Sequence, residues 1–455
     1  MPACVLIGAG PSCLAFGLAF DGDCQILEKE SRPGGLCRSV NVGGGVFDLG
    51  GHSFHTPHDD VFELVNCVSD DPLFLQKRNA KVFSHASMID YPFQKSFGQI
   101  PNPEVVTECE AGLRPAGDLE GQPPRNLEDY LVQKFGGGIA KHFMLPYNRK
   151  LWARDLRTIA CDWVGQRIAN PRTSTKEKRF GTTGGGGERR PLQQDSTVGY
   201  PKNGGFEEIF RSMAARLDHI HTGCEVLRID TQSRRVHCRN GRIFDYDVLV
   251  NSMPLPLLLR CIDGTPPELQ SQADSLEAMS LRIEFLLVNH RLETDIQRIY
   301  CSDPDIPPHK LALNHNSSDS LRSRDCHAIM AEVSTSSEKS VDEDQIAPRT
   351  IEWLCDLGIL PSPASVTWRG HQKIRFGYPV YTHNRLSIVT EIKQWLASHD
   401  IHTIGRFGEW EYWNSDKCML KGIELARSLS KSKSASIAAF RSTILAQAEP
   451  NQTFD

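Results

Sequence analysis

Gly8, Gly10 and Cys13 stand at GxGxxG spacing in the turn "GAGPSC", and Glu28 follows eighteen residues after Gly10. Glycine at the first two positions lets the backbone approach a pyrophosphate at a helix N-terminus, where Pro11 and Ser12 would begin the helix. An acid at about this distance can hold a ribose 2′-hydroxyl. The chemistry is dinucleotide binding, with Cys13 as the small residue of the helix–strand packing position. A second glycine turn, "ESRPGGLCRS", sets Gly35 ahead of Arg38 and Ser39, offering a guanidinium to the same pyrophosphate. An NAD site has no need of it. A third stretch, "FDLGGHSFHTPH", runs Gly50 and Gly51 into His52, so that backbone able to take positive φ delivers an imidazole to one place. His55 and His58 lack a matching carboxylate or cysteine cluster, so no metal site is expected.

The elements that must position these residues follow from periodicity. A strand at Cys4 to Ile7, an apolar helix from Ser12 to about Phe20 and a strand "CQILEKE" form a β-turn-helix-β unit. The 455 residues suggest two or three domains. With 39% hydrophobic and 24% charged residues the chain reads as soluble and globular, and a net charge of −5 argues against a nucleic-acid partner. Its 14 cysteines show neither a disulfide framework nor zinc-ligand spacing, which fits a reducing cytoplasm. The apolar N-terminus lacks a basic leader, and no apolar run is long enough to span a bilayer.

The segment "GGLCRS" resembles the "GGxxRS" segment of the FAD superfamily of amine oxidases, protoporphyrinogen oxidase and UDP-galactopyranose mutase. Within it, "GGHSFHT", "YPFQ", "LPYNRKLWARDL", "CDWVGQRIANP", "GYPKNGGFEEIF", "GYPVYTHNR" and "GRFGEWEYWNSDKCMLKG" occur in the order found in the mutases and span most of residues 1 to 430. The resemblance implies FAD, needed in its reduced form, and a nucleotide-diphosphate sugar as substrate. It further implies interconversion of pyranose and furanose forms through a sugar adduct at flavin N5, with no net redox change. NAD(P)H or a separate reductase would supply the electrons.

It also implies roles residue by residue. Gly50 and Gly51 let the backbone pass the isoalloxazine, and His52 meets the ring near N5. Val226 in "GCEVLRID" meets the adenine through its backbone. Arg167 aims at the substrate diphosphate, with Asn148 and Trp152 four residues apart on one helix face. Tyr300, Tyr378 and Tyr412 reach the phosphates, and Arg406 lies near flavin and sugar. The last helix, capped from Asn414 or Asp416, faces the flavin pyrimidine. Where the family has an aromatic–arginine pair, this chain has His309 and Lys310; lysine keeps the charge and loses the bidentate fork.

The expected fold is α/β: a discontinuous Rossmann-like FAD-binding domain (1–75, 195–275, 396–430), a helical substrate domain (76–194), a mostly antiparallel sheet domain (276–395) and a C-terminal tail (431–455). The Gly-rich, basic stretch 170–196 is either a lid or a solvated loop. Three function classes remain: a nucleotide-sugar mutase, an oxidase of the amine oxidase type, and a non-catalytic flavin scaffold. The cationic and tyrosine array favours the first.

Overall fold

The computed structural model describes residues 4–113, 123–164 and 197–430. The first unit forms as its pattern predicts. The buried strand Cys4–Ile7 turns at Gly8 into the helix Pro11–Ala19, whose first position is proline, tolerated there because that N–H has no helical partner. The strand pairs in parallel with Cys24–Leu27 on one side and Val248–Asn251 on the other. Ile401–Thr403 and Ile220–His221 complete a five-stranded parallel sheet. The helix Ser415–Leu429 closes over the first helix, and Gly422 permits this: a Cβ there would lie 2.1 Å from Ser12 O.

The second layer is a seven-stranded sheet in the order Val366–Pro379, Ala278–Val288, His327–Thr335, Lys310–Leu313, Arg298–Cys301, Ala80–Ser84, Ser87–Asp90. All its pairs are antiparallel except Arg298–Cys301 with Ala80–Ser84. The segment expected to be helical from residue 76 therefore opens with two sheet strands, because the short apolar run "AKVFS" finds a strand edge to pair with. Helices follow from Phe93–Ser96 to Leu145–Trp152 and pack their apolar faces on this sheet. Val226–Asp230 belongs to a separate three-stranded antiparallel sheet. No helix among the described residues is long and apolar enough to cross a membrane. All 14 cysteines are free thiols, and among the described residues no cluster of His, Cys, Asp or Glu could hold a metal ion.

Candidate functional site

The two glycine turns meet at the mouth of the parallel sheet. Gly8 takes φ +96°, and a Cβ on Gly10 would touch nothing within 4 Å, so this side of the helix N-terminus is open to a ligand. Gly34 and Gly35 also have positive φ, and Gly34 N–H donates to Ala9 O at 2.8 Å, fastening the second turn to the first. Glu28 is buried, with one oxygen accepting Ala9 N–H at 2.8 Å and the other Glu30 N–H at 2.9 Å. Each oxygen keeps a further lone pair for a hydroxyl. An open glycine cradle beside an anchored acid fits a dinucleotide, and Gly8, Gly10, Glu28 and Gly35 are the residues that would hold it.

The glycine–histidine loop is held from three sides. Glu332, 1% exposed, accepts Gly51 N–H at 2.7 Å. The Arg298 guanidinium donates to His52 O at 2.7 Å, and the Phe206 ring stacks on the imidazole at 5.0 Å. Asp48, just upstream, is fully buried and accepts from Ser39 Oγ, Tyr200 Oη and Phe206 N. Burial outweighs these three bonds and raises its carboxyl above the usual range. His52 moves the opposite way: loss of hydration, then the nearby Lys310, pushes its imidazole down to about 3, with Glu332 opposing and Arg406 and Arg298 adding to the fall. The ring is therefore neutral, and its buried Nδ1 has no hydrogen-bond partner among the described residues. It can donate or accept a hydrogen bond and carries no charge to stabilise an anion. Of the two glycines, only Gly50 has positive φ (+123°); Gly51 is required for space, since a Cβ would lie 2.8 Å from Arg298 Nε and 3.1 Å from Ala312 Cβ.

Cross-strand register builds the facing wall. Tyr300 pairs with Lys310, and Lys310 with Glu332, so three adjacent strands present them side by side. Lys310 Nζ is 2.7 Å from Glu332 Oε1, and His309 Nε2 is 3.8 Å from Oε2. Burial raises the Glu332 carboxyl, but Lys310, His309 and the Gly51 N–H prevail and hold it at about 2. At the edge strand of the same sheet, the Arg406 guanidinium lies over the rings of Tyr378 (5.1 Å) and Tyr412 (5.8 Å) and donates to Trp413 O and Gly377 O. Tyr147, not singled out from the sequence, packs on the wall; it is edge-on to Tyr300 at 6.0 Å and to His309 at 6.4 Å. Tyr91 tilts on Tyr300 at 5.0 Å.

The other residues expected at the site take the following places. Ser39 has no exposed surface: its hydroxyl donates to Asp48 and its N–H to Glu207, so it braces the turn and does not face a cofactor. Trp152 is 1% exposed and packs behind Tyr412 and Trp163, a supporting layer beneath the cleft. Asn148 is buried and its amide returns to Met144 O at 2.7 Å. Arg38 donates to Gly35 O and pairs with Glu30. Val226 lies in the small antiparallel sheet, its carbonyl receiving Cys261 Sγ. Asn414 occupies the N-cap of the last helix but its side chain makes no cap bond, and Asp416 sits in the first turn. Arg167, and the stretch 170–196, lie outside the described residues. Glu332, Arg298, Phe206 and Tyr147 were missed; the one available signal was a single acid inside the apolar run "HAIMAEVST".

Residues 16–297 match the family described as flavin containing amine oxidoreductase. A crystal structure of reduced UDP-galactopyranose mutase superposes with a TM-score of 0.84 at 24% identity, covering 98% of each chain. Cyclohexylamine oxidase from Brevibacterium oxydans superposes at 0.65 with 12% identity, over 98% of this chain and 99% of the other. Putrescine oxidase bound to putrescine gives 0.63 at 13% identity, over 94% and 98%. These likenesses define the fold.

Proposed function

We propose, for a chain that belongs to the flavin-containing amine oxidoreductase family and takes FAD as its cofactor, that the reaction is a pyranose–furanose interconversion of a nucleotide-diphosphate sugar. The observation that supports it is the Arg406 guanidinium lying over Tyr378 and Tyr412, with Tyr300 and Lys310 on strands of the same sheet as Tyr378. Cations bracketed by phenol hydroxyls suit a diphosphate rather than an apolar amine. When bound and reduced, the flavin supplies the nucleophilic nitrogen for the anomeric carbon. The chain's own work is to bind and orient. Arg406, with Arg167, neutralises the departing diphosphate; Tyr300, Tyr378 and Tyr412 offer hydroxyl donors; the neutral His52 gives or takes a hydrogen bond without adding charge. Burial and Glu332 push the Tyr378 phenol up to about 12, so it remains a donor at neutral pH.

One observation favours an amine oxidase reading instead. Lys310 is already paired with Glu332, which removes one cation from the phosphate side. The test is to titrate the FAD-loaded protein with UDP, dTDP and GDP while following flavin absorbance, and to assay peroxide formation with amines in air. A saturable nucleotide response lost in Arg406→Met supports the mutase reading. Peroxide with an amine and no nucleotide response replaces it by the oxidase.

A further inference from the structure

Lys150 is 6% exposed, on the helix Leu145–Trp152 whose Tyr147 packs edge-on against Tyr300. Its ammonium donates three hydrogen bonds, all to main-chain carbonyls: Asp303 O at 2.7 Å, Ile306 O at 2.7 Å and Pro308 O at 2.9 Å. An ammonium has three protons, one for each of these carbonyls, and the Cys301 thiol also lies beside it. The acceptors belong to one stretch, 302–309, which joins the strands Arg298–Cys301 and Lys310–Leu313. Two consecutive prolines in it, Pro307 and Pro308, supply no N–H, so the stretch cannot tie its own carbonyls together there. Burying a charge is costly unless it is fully bonded, and an apolar side chain of similar length would fill the same space. What lysine adds here is a hold on three carbonyls at once.

The strands at the two ends of that stretch pair through Tyr300 and Lys310, and Cys301 N–H donates to His309 O at 3.0 Å between that pair and the stretch. Tyr147, one turn before Lys150, packs on Tyr300 and His309. One helical turn thus grips the connection through Lys150 and its ends through Tyr147. We propose that Lys150 is a positioning residue: its three-carbonyl grip fixes the 302–309 connection and, through it, the Tyr300–Lys310 wall that receives substrate. The role of the wall rests on the reading given under Proposed function; the grip itself does not.

The test uses the FAD-loaded protein and two variants, Lys150→Met and Lys150→Ala. In Lys150→Met, amide hydrogen exchange should rise about tenfold or more over residues 303–310 while the parallel sheet stays protected, and UDP affinity should fall about tenfold at unchanged FAD content, as loss of bonded donors implies. In Lys150→Ala, n-propylammonium chloride should restore both the local protection and the affinity, and tetramethylammonium, which has no N–H, should restore neither. Unchanged exchange at 303–310, or exchange raised equally everywhere, overturns the proposal. So does failure of n-propylammonium to restore protection, including in a variant that is unstable without it. If the wild-type protein binds no UDP but the exchange results hold, the grip stands and the substrate reading falls.

Discussion

Glu332 and Gly51 are 281 positions apart in sequence, and a 2.7 Å hydrogen bond from the Gly51 N–H to the Glu332 carboxylate joins them. The same oxygen holds Lys310, so one buried acid links the histidine loop to the wall of Tyr300 and Lys310. Truncating it in Glu332→Ala strands Lys310 and frees the loop. The expected cost is about 3–5 kcal/mol of stability, read by urea denaturation, as for other buried pairs deprived of one partner. Glu332→Gln, which can still accept the Gly51 N–H, should lose less. Equal losses would show that the loop bond contributes nothing.

His52→Ala should keep its FAD and its fold, because the cradle at Gly8, Gly10, Glu28 and Gly35 is elsewhere. Turnover should fall by ~10² to 10⁴, the usual effect of removing a positioned hydrogen-bonding group. Since the imidazole is neutral down to about pH 3, the wild-type pH–rate profile should contain no histidine step from this ring between pH 5 and 8. Gly51→Val should behave differently and reduce FAD content, because its side chain would push into Arg298 and Ala312. Normal turnover in His52→Ala would return the ring to a packing role against Phe206.

Arg406→Lys keeps one positive charge but cannot span Trp413 O and Gly377 O while lying over two rings. Nucleotide-sugar affinity should fall by about 2 kcal/mol or more, with FAD content unchanged. Isothermal titration with UDP checks it; wild-type affinity would remove Arg406 from the phosphate site.

Acid should destabilise the fold before any carboxylate is fully protonated. His309 and His315 are each 2% exposed, and burial above all pushes both down to about 3. A group that is neutral when folded and protonates near pH 6.5 when unfolded lends stability above that pH and loses it as pH falls. Between pH 7 and pH 5 each should cost roughly 2 kcal/mol. Glu332, held at about 2, adds its loss only below about pH 4.5. His52, pushed down alike, adds to this loss, and the raised Asp48 carboxyl offsets part of it by taking a proton in the folded state; urea midpoints at pH 7 and pH 5 measure the sum, and equal midpoints would contradict it.

Local spacing made the glycine cradle legible: Gly8, Gly10 and Glu28 lie within one short β-turn-helix-β unit, where sequence distance and spatial distance agree. The wall proposed to receive substrate was legible only as residue types. Tyr300, Lys310 and Glu332 come from three strands, and only their register shows that the lysine faces a carboxylate rather than open cleft. Burial depth was hidden for a related reason. Ser39 and Trp152 carry the right chemistry beside the right motifs, yet each lies one layer beneath the surface it was expected to form. Alternation along a strand or helix gives a face, not the number of layers packed on it.

The reading of the cleft is tested most directly by turnover without electron flow. FAD-loaded protein is reduced with dithionite under nitrogen, mixed with UDP, dTDP and GDP sugars in turn, and followed by chromatography of the sugar and absorbance of the flavin. A mutase gives many furanose isomers per flavin from one of these sugars while the flavin stays reduced. No isomer from any of them, with peroxide released from an amine once air is admitted, would contradict the account and place the protein with the oxidases.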